Sequence, residues 1–439
     1  MLSDNSVNIP ASDNLFRTKC NWVVDLNVAY FIALLLGTSF YILSPSLSLQ
    51  NLLLVPTLPL NICVVVHRRL SKSIVTPLFF LILYIAILFC ITPLLPDTGN
   101  NVKYVFYQLH ILNIYLSAII IPTSLFTFTC KFVKVALICW LILALTQLGV
   151  ITGVLPQSLS FLFFKSARYD LTDVFQINGT FANANDFACV VFLLFLLLLL
   201  KSDSHTRRIY FAVSLIISML AMSRTVIVLF GLLAVIQLWI KDKRRKLAKY
   251  SLIAFLIFSG IIMTKGLWEQ KIYDALYAEF GYNAVTINFT RLTSIIEFEE
   301  DKHQPETSSQ YRRETYLYAL SKLPTHFTGT GAQNYGSFYR EGGFHNQLVW
   351  TNPHSFLIEI GIAFGWLPLL IFLIFLGCIF YGILKQNKIY YRRYLIVLFS
   401  FTIILSNIPA TGVQIPLLWL PLIYAYIFVN KSTAHKIAN

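Results

Sequence analysis

The sequence predicts an all-α polytopic membrane protein with about twelve transmembrane helices and one large extracytoplasmic helical loop. Three observations predict it. Hydrophobic residues make up 57% of the 439 residues and charged residues only 12%, with a mean hydropathy of +0.68, far from the balance of a soluble chain. Apolar runs long enough to cross roughly 30 Å of hydrocarbon recur from Trp22 to Val429. Between Met263 and His354 the pattern breaks into about ninety polar and amphipathic residues, a connection far longer than most and therefore expected to carry function.

In chain order the expected spans are 22–43, 46–66, 74–95, 104–129, 134–153, 182–200, 209–223, 225–240, 250–264, 354–383, 394–410 and 412–430. The third, sixth and tenth are the most continuous in apolar character, and 209–223 with 225–240 reads as a tight hairpin turning near Arg224. The organisation that follows is an N-terminal membrane bundle of about nine spans (1–264), the large loop (265–353), C-terminal spans (354–430) and a short tail (431–439).

Charge orients these spans. With the N-terminus inside, the inner segments hold 22 of the 34 Lys and Arg residues, among them Arg68, Arg69, Lys131, Lys134 and six between Lys241 and Lys249. The short outer segments hold only Lys103, Lys165 and Arg168 besides Arg224 at the hairpin tip, as the positive-inside rule requires. Both termini are then expected to be cytoplasmic. The long loop falls outside, where it carries eight Lys/Arg and ten Asp/Glu and lacks the basic bias of the inner loops. The net charge of +14 is thus topogenic and gives no reason to expect a nucleic-acid partner. Residues 1–21 are polar and lead into a full-length apolar stretch, so no cleavable signal peptide is expected. The seven cysteines all lie outside the loop, and none pairs with histidine at zinc-ligand spacing.

Ionisable and polar residues at the membrane edge are the candidates for function. Arg224, in Met222-Ser-Arg-Thr-Val at the outer end of the hairpin, is placed either to reach an anionic group or simply to snorkel. Gly179-Thr-Phe-Ala-Asn-Ala-Asn-Asp-Phe-Ala opens the sixth span, where Asn183, Asn185 and Asp186 would cap the helix or line a polar pocket. At the loop exit Asn352 suits an N-cap, Pro353 the first helical position and His354 the first turn, where the helix dipole would keep the imidazole neutral and able to accept a proton. The alternative for His354 is an interfacial polar group. Glu359, five residues on, would support it or orient a partner helix. Within the loop, Ser309 to Leu320 reads as an amphipathic helix with adjacent Arg312 and Arg313, and Gly329-Thr-Gly331 is too short for a phosphate-binding loop.

The order of these elements resembles the bacterial O-antigen polymerase and ligase family, over about Asn178 to Ile383. The most specific stretch is His354-Ser-Phe-Leu-Ile-Glu-Ile-Gly-Ile-Ala-Phe-Gly365. Arg224 matches the family's Ser-Arg arginine, Arg312 its loop arginine set four before an aromatic (here Tyr316), and His354 its loop histidine; Arg313 leaves a one-residue ambiguity. Ser355 departs from the pattern, which usually has Asn after the histidine. The resemblance implies glycosyl transfer at the outer face of the bacterial cytoplasmic (inner) membrane, from an undecaprenyl-pyrophosphate-linked glycan to a sugar hydroxyl. His354 would act as general base, with Arg312 and Arg224 stabilising the leaving pyrophosphate. Arg313, Arg291, Asn183, Asn185, Asp186, Glu359 and Tyr316 would help hold substrate, and loop aromatics such as Tyr311, Tyr316, Tyr335, Tyr339 and Trp350 would stack on sugars. No cofactor or metal is expected; partners are the lipid-linked glycan, membrane lipid and a chain-length regulator protein. The Asn-x-Asn stretch favours polymerase. The alternatives are a ligase acting on lipopolysaccharide core or protein and, from another class, a transporter of lipid-linked glycan.

Overall fold

A computed structural model describes residues 21–36, 48–68, 70–96, 98–156, 158–159, 177–181, 183–240, 269–279, 308–325, 328–332, 335–340, 355–408 and 415–437. Among them all regular structure is helical. The first five helices are α1 (Asn21–Leu35), α2 (Leu49–Val66), α3 (Lys72–Ile91), α4 (Thr98–Ile120) and α5 (Phe126–Ile151). Then come α6 (Ala184–Leu199), α7 (Ser204–Leu220), α8 (Arg224–Ile240) and a short helix α9 (269–279). The rest of the chain supplies α10 (Ser308–Lys322), α11 (Tyr335–Arg340), α12 (Phe356–Phe364), α13 (Trp366–Leu384), α14 (Ile389–Leu405) and α15 (Leu420–Ile437).

Among the described residues four helical stretches are long and apolar enough to cross a membrane: Leu49–Val66, Lys72–Leu94, Thr123–Ile151 and Trp366–Leu384. Shorter apolar helices cover Trp22–Leu35, Ala184–Leu199 and Arg224–Gln237. The expected span 250–264 lies outside the described residues.

Several boundaries differ from expectation, among them the starts of α7 at Ser204, α14 at Ile389 and α15 at Leu420, and two differ for a clear local reason. The break between the fourth and fifth spans falls at Pro122, not near residue 130. Proline has no N–H to continue a helix and pushes the residue before it out of helical geometry, so Lys131 and Lys134 sit within α5. The expected span 354–383 is broken at Gly365, whose φ of 88° belongs to the left-handed side that a side chain would strain. The short α12 therefore stands apart from α13 as a half-helix.

Helix α6 is apolar on every face, and all its residues but Asn185 are buried, so it forms an axis of the bundle. It packs against α7, α5, α15, α14 and α8, while α3 lies along α13 and α4 contacts α2, α3 and α15. Buried amides hold the N-terminal helices together. Asn27 and Asn61 exchange amide hydrogen bonds of 2.8 Å, Asn61 Nδ2 donates to Asn113 Oδ1 and Asn113 Nδ2 to Thr57 Oγ1, both at 2.8 Å, and Ser117 Oγ donates to Asn27 Oδ1. His110 sits in a second set: its Nε2 donates to Asn51 Oδ1 at 2.9 Å, leaving Nδ1 to accept from Tyr30 at 2.7 Å. Each such bond is worth ~0.6–2 kcal/mol between membrane helices.

Helix α4 has two distinct ends. At its C-terminus Lys431 Nζ donates to the carbonyls of Ala118, Ile119 and Ile121 at 2.9, 2.5 and 2.9 Å, and Arg68 Nη1 donates to Ile119 O at 3.0 Å. These cations satisfy orphan carbonyls and complement the helix dipole. At its N-terminus Asn101 receives the segment 328–332 that follows α10. The 23 residues of α4 separate these ends by roughly 35 Å, so the loop segments after α10 and the Lys431–Arg68 cluster occupy opposite ends of the bundle.

Candidate functional site

The loop pieces dock on the half-helix α12 and on the α3–α4 turn. Helix α12 begins at Phe356, capped by Ser355, whose Oγ accepts from Ile358 N at 3.3 Å. The cap is therefore Ser355 instead of Asn352, and the helix starts two residues beyond His354 instead of before it. Residues 352–354 lie outside the described residues, as does Arg291.

At its other end α12 leaves carbonyls that the loop satisfies. Thr330 N donates to Ile362 O at 2.8 Å, Gly331 N to Ala363 O at 3.0 Å and Thr330 Oγ1 to Ile362 O at 3.2 Å. Ala332 N donates to Asn101 Oδ1 at 2.5 Å, and Asn101 Nδ2 in turn donates to Pro96 O at 2.6 Å. Gly329-Thr-Gly331 is thus a docking strip against a helix end. Gly329 runs so close that a Cβ there would lie 2.1 Å from Ala363 O.

Inside α12, Glu359 is fully buried and its Oε1 accepts from Tyr104 Oη of α4 and from Tyr335 Oη of α11, each at 3.0 Å. Burial, and the Glu359 carboxylate beside it, push the Tyr335 phenol well above its usual pKa, which keeps it a donor. One carboxylate therefore joins the half-helix, the loop helix and a bundle helix. Tyr335 and Tyr339, expected to stack on sugars, are both buried, and Tyr318 Oη holds α11 by donating to Phe338 O at 3.2 Å.

At the N-terminal end of α12 the loop helix α10 meets the end of α14. Tyr316 Oη donates to Asn407 O at 3.1 Å, Ser355 Oγ donates to Asn407 Oδ1, and Phe356 N donates to Ser406 O at 3.0 Å. Arg312 lies one helical turn before Tyr316 on α10, and only its backbone and that of Arg313 are described. The structure thus brings Tyr316, one turn from Arg312, and Ser355, adjacent to His354, onto a single residue, Asn407. An amide stands against Ser355, the position where the family pattern has asparagine.

Arg224 and the Asn183–Asp186 stretch belong to other helix starts. Arg224 is half-buried as the first residue of α8, after a turn in which Met222 takes a positive φ of 53°. A guanidinium at the positive end of a helix adds to the attraction for an anion at that point. Asn183 caps α6, its side chain accepting from Asn185 N at 2.8 Å, so the capping reading of that residue holds. Asn185 is half-buried, and Asp186 is buried in the first turn. The preceding turn is held by Gln147, whose Oε1 accepts from Asn178 N and Gly179 N at 3.2 and 3.1 Å. Asn407, Tyr104, Asn101 and Gln147 were not foreseen. The only sequence signal for Asn407 is the polar pair Ser406-Asn407 closing an otherwise apolar run. Among the described residues no cluster of three His, Cys, Asp or Glu side chains could hold a metal.

Residues 209–373 match the protein family described as O-Antigen ligase, a segment running from α7 into α13 and containing Arg224, Arg312, His354 and Glu359. No curated protein matches the chain significantly. The domain match supports the O-antigen polymerase and ligase family.

Proposed function

From that family placement we propose that the chain is a membrane glycosyltransferase that polymerises surface polysaccharide. It transfers an undecaprenyl-pyrophosphate-linked glycan to a sugar hydroxyl of a second lipid-linked repeat unit at the outer face of the cytoplasmic membrane. The observation that carries this reading is the matched segment itself, within which the helix of Arg312 and the residue after His354 are both fastened to the end of α14.

In the proposed step the acceptor hydroxyl attacks the anomeric carbon and gives its proton to His354, while the bond from that carbon to the pyrophosphate oxygen breaks. The leaving lipid pyrophosphate gathers negative charge. Arg224 with the α8 N-terminus, and Arg312 with Arg313, would stabilise it as preorganised donors. The donor is already activated, so the step needs no cofactor. Orientation fits the opposite placement of the cationic Lys431–Arg68 end and the loop end of α4. The Gly179 to Ala188 stretch favours polymerase over transfer to lipopolysaccharide core.

A host lacking the gene, analysed by a surface-glycan gel, tests the reading. A single repeat unit on lipid core supports a polymerase. Polymer accumulated on the lipid carrier points to a ligase, and material trapped at the inner leaflet to a transporter. His354→Ala should abolish chain extension with normal insertion, and Arg224→Lys should lose most activity despite keeping its charge. Full-length polymer from His354→Ala sinks the assignment of the base. Cysteine labelling near Lys302 from outside intact cells checks the topology, and no labelling would reverse it.

A further inference from the structure

We propose that Asn407 is a positioning residue for the transfer reaction, a shared point on which the arginine helix and the histidine segment are set relative to one another. The proposal rests on the functional reading above. Asn407 follows the last turn of α14 and uses main chain and side chain on different partners: its carbonyl takes the Tyr316 hydroxyl at 3.1 Å and its Oδ1 takes the Ser355 hydroxyl. Its own Nδ2 donates to Ile403 O at 2.6 Å, one turn back on α14.

The orientation of this amide is set by the Ile403 carbonyl, which accepts and cannot donate. With Nδ2 turned to that acceptor, Oδ1 faces Ser355, whose hydroxyl gives it its one proton while a lone pair accepts from Ile358 N. Neither aspartate nor a hydroxyl at 407 reproduces both bonds. Phe356 N on Ser406 O adds a main-chain bond beside them, so the start of α12 is fixed to the end of α14 at two adjacent residues.

The placement is close on the scale that matters. Residue 354 is one peptide unit, about 3.8 Å, from Ser355, and Arg312 is one turn, about 6 Å of rise, from Tyr316. A shift of about 1 Å between reacting groups can cost around a hundredfold in rate without altering what is bound. An amide that sets the spacing of base and leaving-group arginine should therefore act on turnover and leave substrate affinity alone.

The test uses the full-length protein in membrane vesicles supplied with lipid-linked repeat units extracted from the polymerase-deficient host. Asn407→Ala is expected to lower turnover by about tenfold to a hundredfold with an apparent KM within about twofold of wild type. Tyr316→Phe, which removes one hydroxyl, and Ser355→Ala, which removes one together with the cap on Ile358 N, should each lower turnover. Ser355→Ala should not add its full effect in the Asn407→Ala background, because both remove the same Oδ1 bond, whereas Tyr316→Phe should add, because its bond is to the main-chain carbonyl that alanine keeps. Asn407→Asp should not rescue. Wild-type turnover in Tyr316→Phe and Ser355→Ala, or a Ser355→Ala effect that simply adds in the Asn407→Ala background, overturns the proposal; so does a loss in Asn407→Ala matched by an equal rise in KM. If those results come with a dead His354→Ala, the positioning idea alone has failed. If His354→Ala is active, the functional reading has failed and this proposal falls with it.

Discussion

Replacing Gly329 by alanine should undock the loop from the half-helix. The new Cβ would stand 2.1 Å from Ala363 O, 2.3 Å from Ala363 C and 2.4 Å from Phe364 N. All three are backbone atoms, so no rotamer change relieves the clash, and the strip 329–331 must lift away. Lifting breaks the bonds from Thr330 N, Thr330 Oγ1 and Gly331 N to the last carbonyls of α12. At about 1 kcal/mol each the loss is about 3 kcal/mol, or about a hundredfold in the docked-to-undocked ratio. Hydrogen exchange followed by mass spectrometry on the purified protein reads this directly: the Thr330 and Gly331 amides should exchange about a hundredfold faster, and polymer length on a surface-glycan gel should fall. Gly99→Ala is the control, because a Cβ on Gly99 meets nothing within 4 Å. Unchanged protection of Thr330 and Gly331 in Gly329→Ala would refute the close approach and, with it, the reading of Gly329-Thr-Gly331 as a docking strip.

Three more outcomes are expected. Glu359→Ala removes the acceptor that the Tyr104 and Tyr335 hydroxyls share, at about 1–3 kcal/mol, so its thermal unfolding in detergent should fall below that of Tyr335→Phe, which keeps the Tyr104–Glu359 bond; equal midpoints would deny Glu359 its joining role. Gly365→Ala should destabilise by about 1–2 kcal/mol because its φ of 88° is costly for any side chain, whereas Gly377→Ala, in helix and open space, should be neutral or stabilising; a neutral Gly365→Ala would mean the break at α12 adjusts freely. For Lys431, burial and then the nearby Arg68 pull the pKa from 10.5 to about 7. A base held lower in the folded state binds its proton more tightly when unfolded, so the penalty is complete below about pH 7 and gone above 10.5. Wild type should therefore gain stability relative to Lys431→Met as pH is raised from 6 to 10, and a flat difference would show that the three carbonyls hold the ammonium at full strength.

Legibility in this chain follows the range of the interaction. Apolar runs announced the helices because hydrophobicity is summed locally, and the described helices fall close to the expected spans at 46–66, 74–95, 182–200 and 225–240. Boundaries failed where one residue overrides a pattern: Pro122 ends a helix that composition would continue, and Gly365 splits an apolar run that composition would unite. The start of α12 shows the same rule in its sharpest form. Both Asn352 and Ser355 are good caps by local chemistry, and Asn352 has the added pull of Pro353. Ser355 carries the role because its hydroxyl can cap Ile358 N and also spend its proton on Asn407, a residue 52 positions away. Ionisable candidates such as Arg224, Arg312 and His354 stand out in an oily sequence because charge is rare there. Neutral amides do not, although Asn27, Asn61, Asn101, Asn113 and Asn407 make the bonds that arrange the bundle and its loop. Where charge is expensive and water absent, geometry is set by uncharged donors and acceptors whose partners lie far along the chain. In this chain, then, a search for ionisable residues locates the groups proposed to react and the anchoring Glu359, while the folded structure identifies the neutral amides that hold them in place.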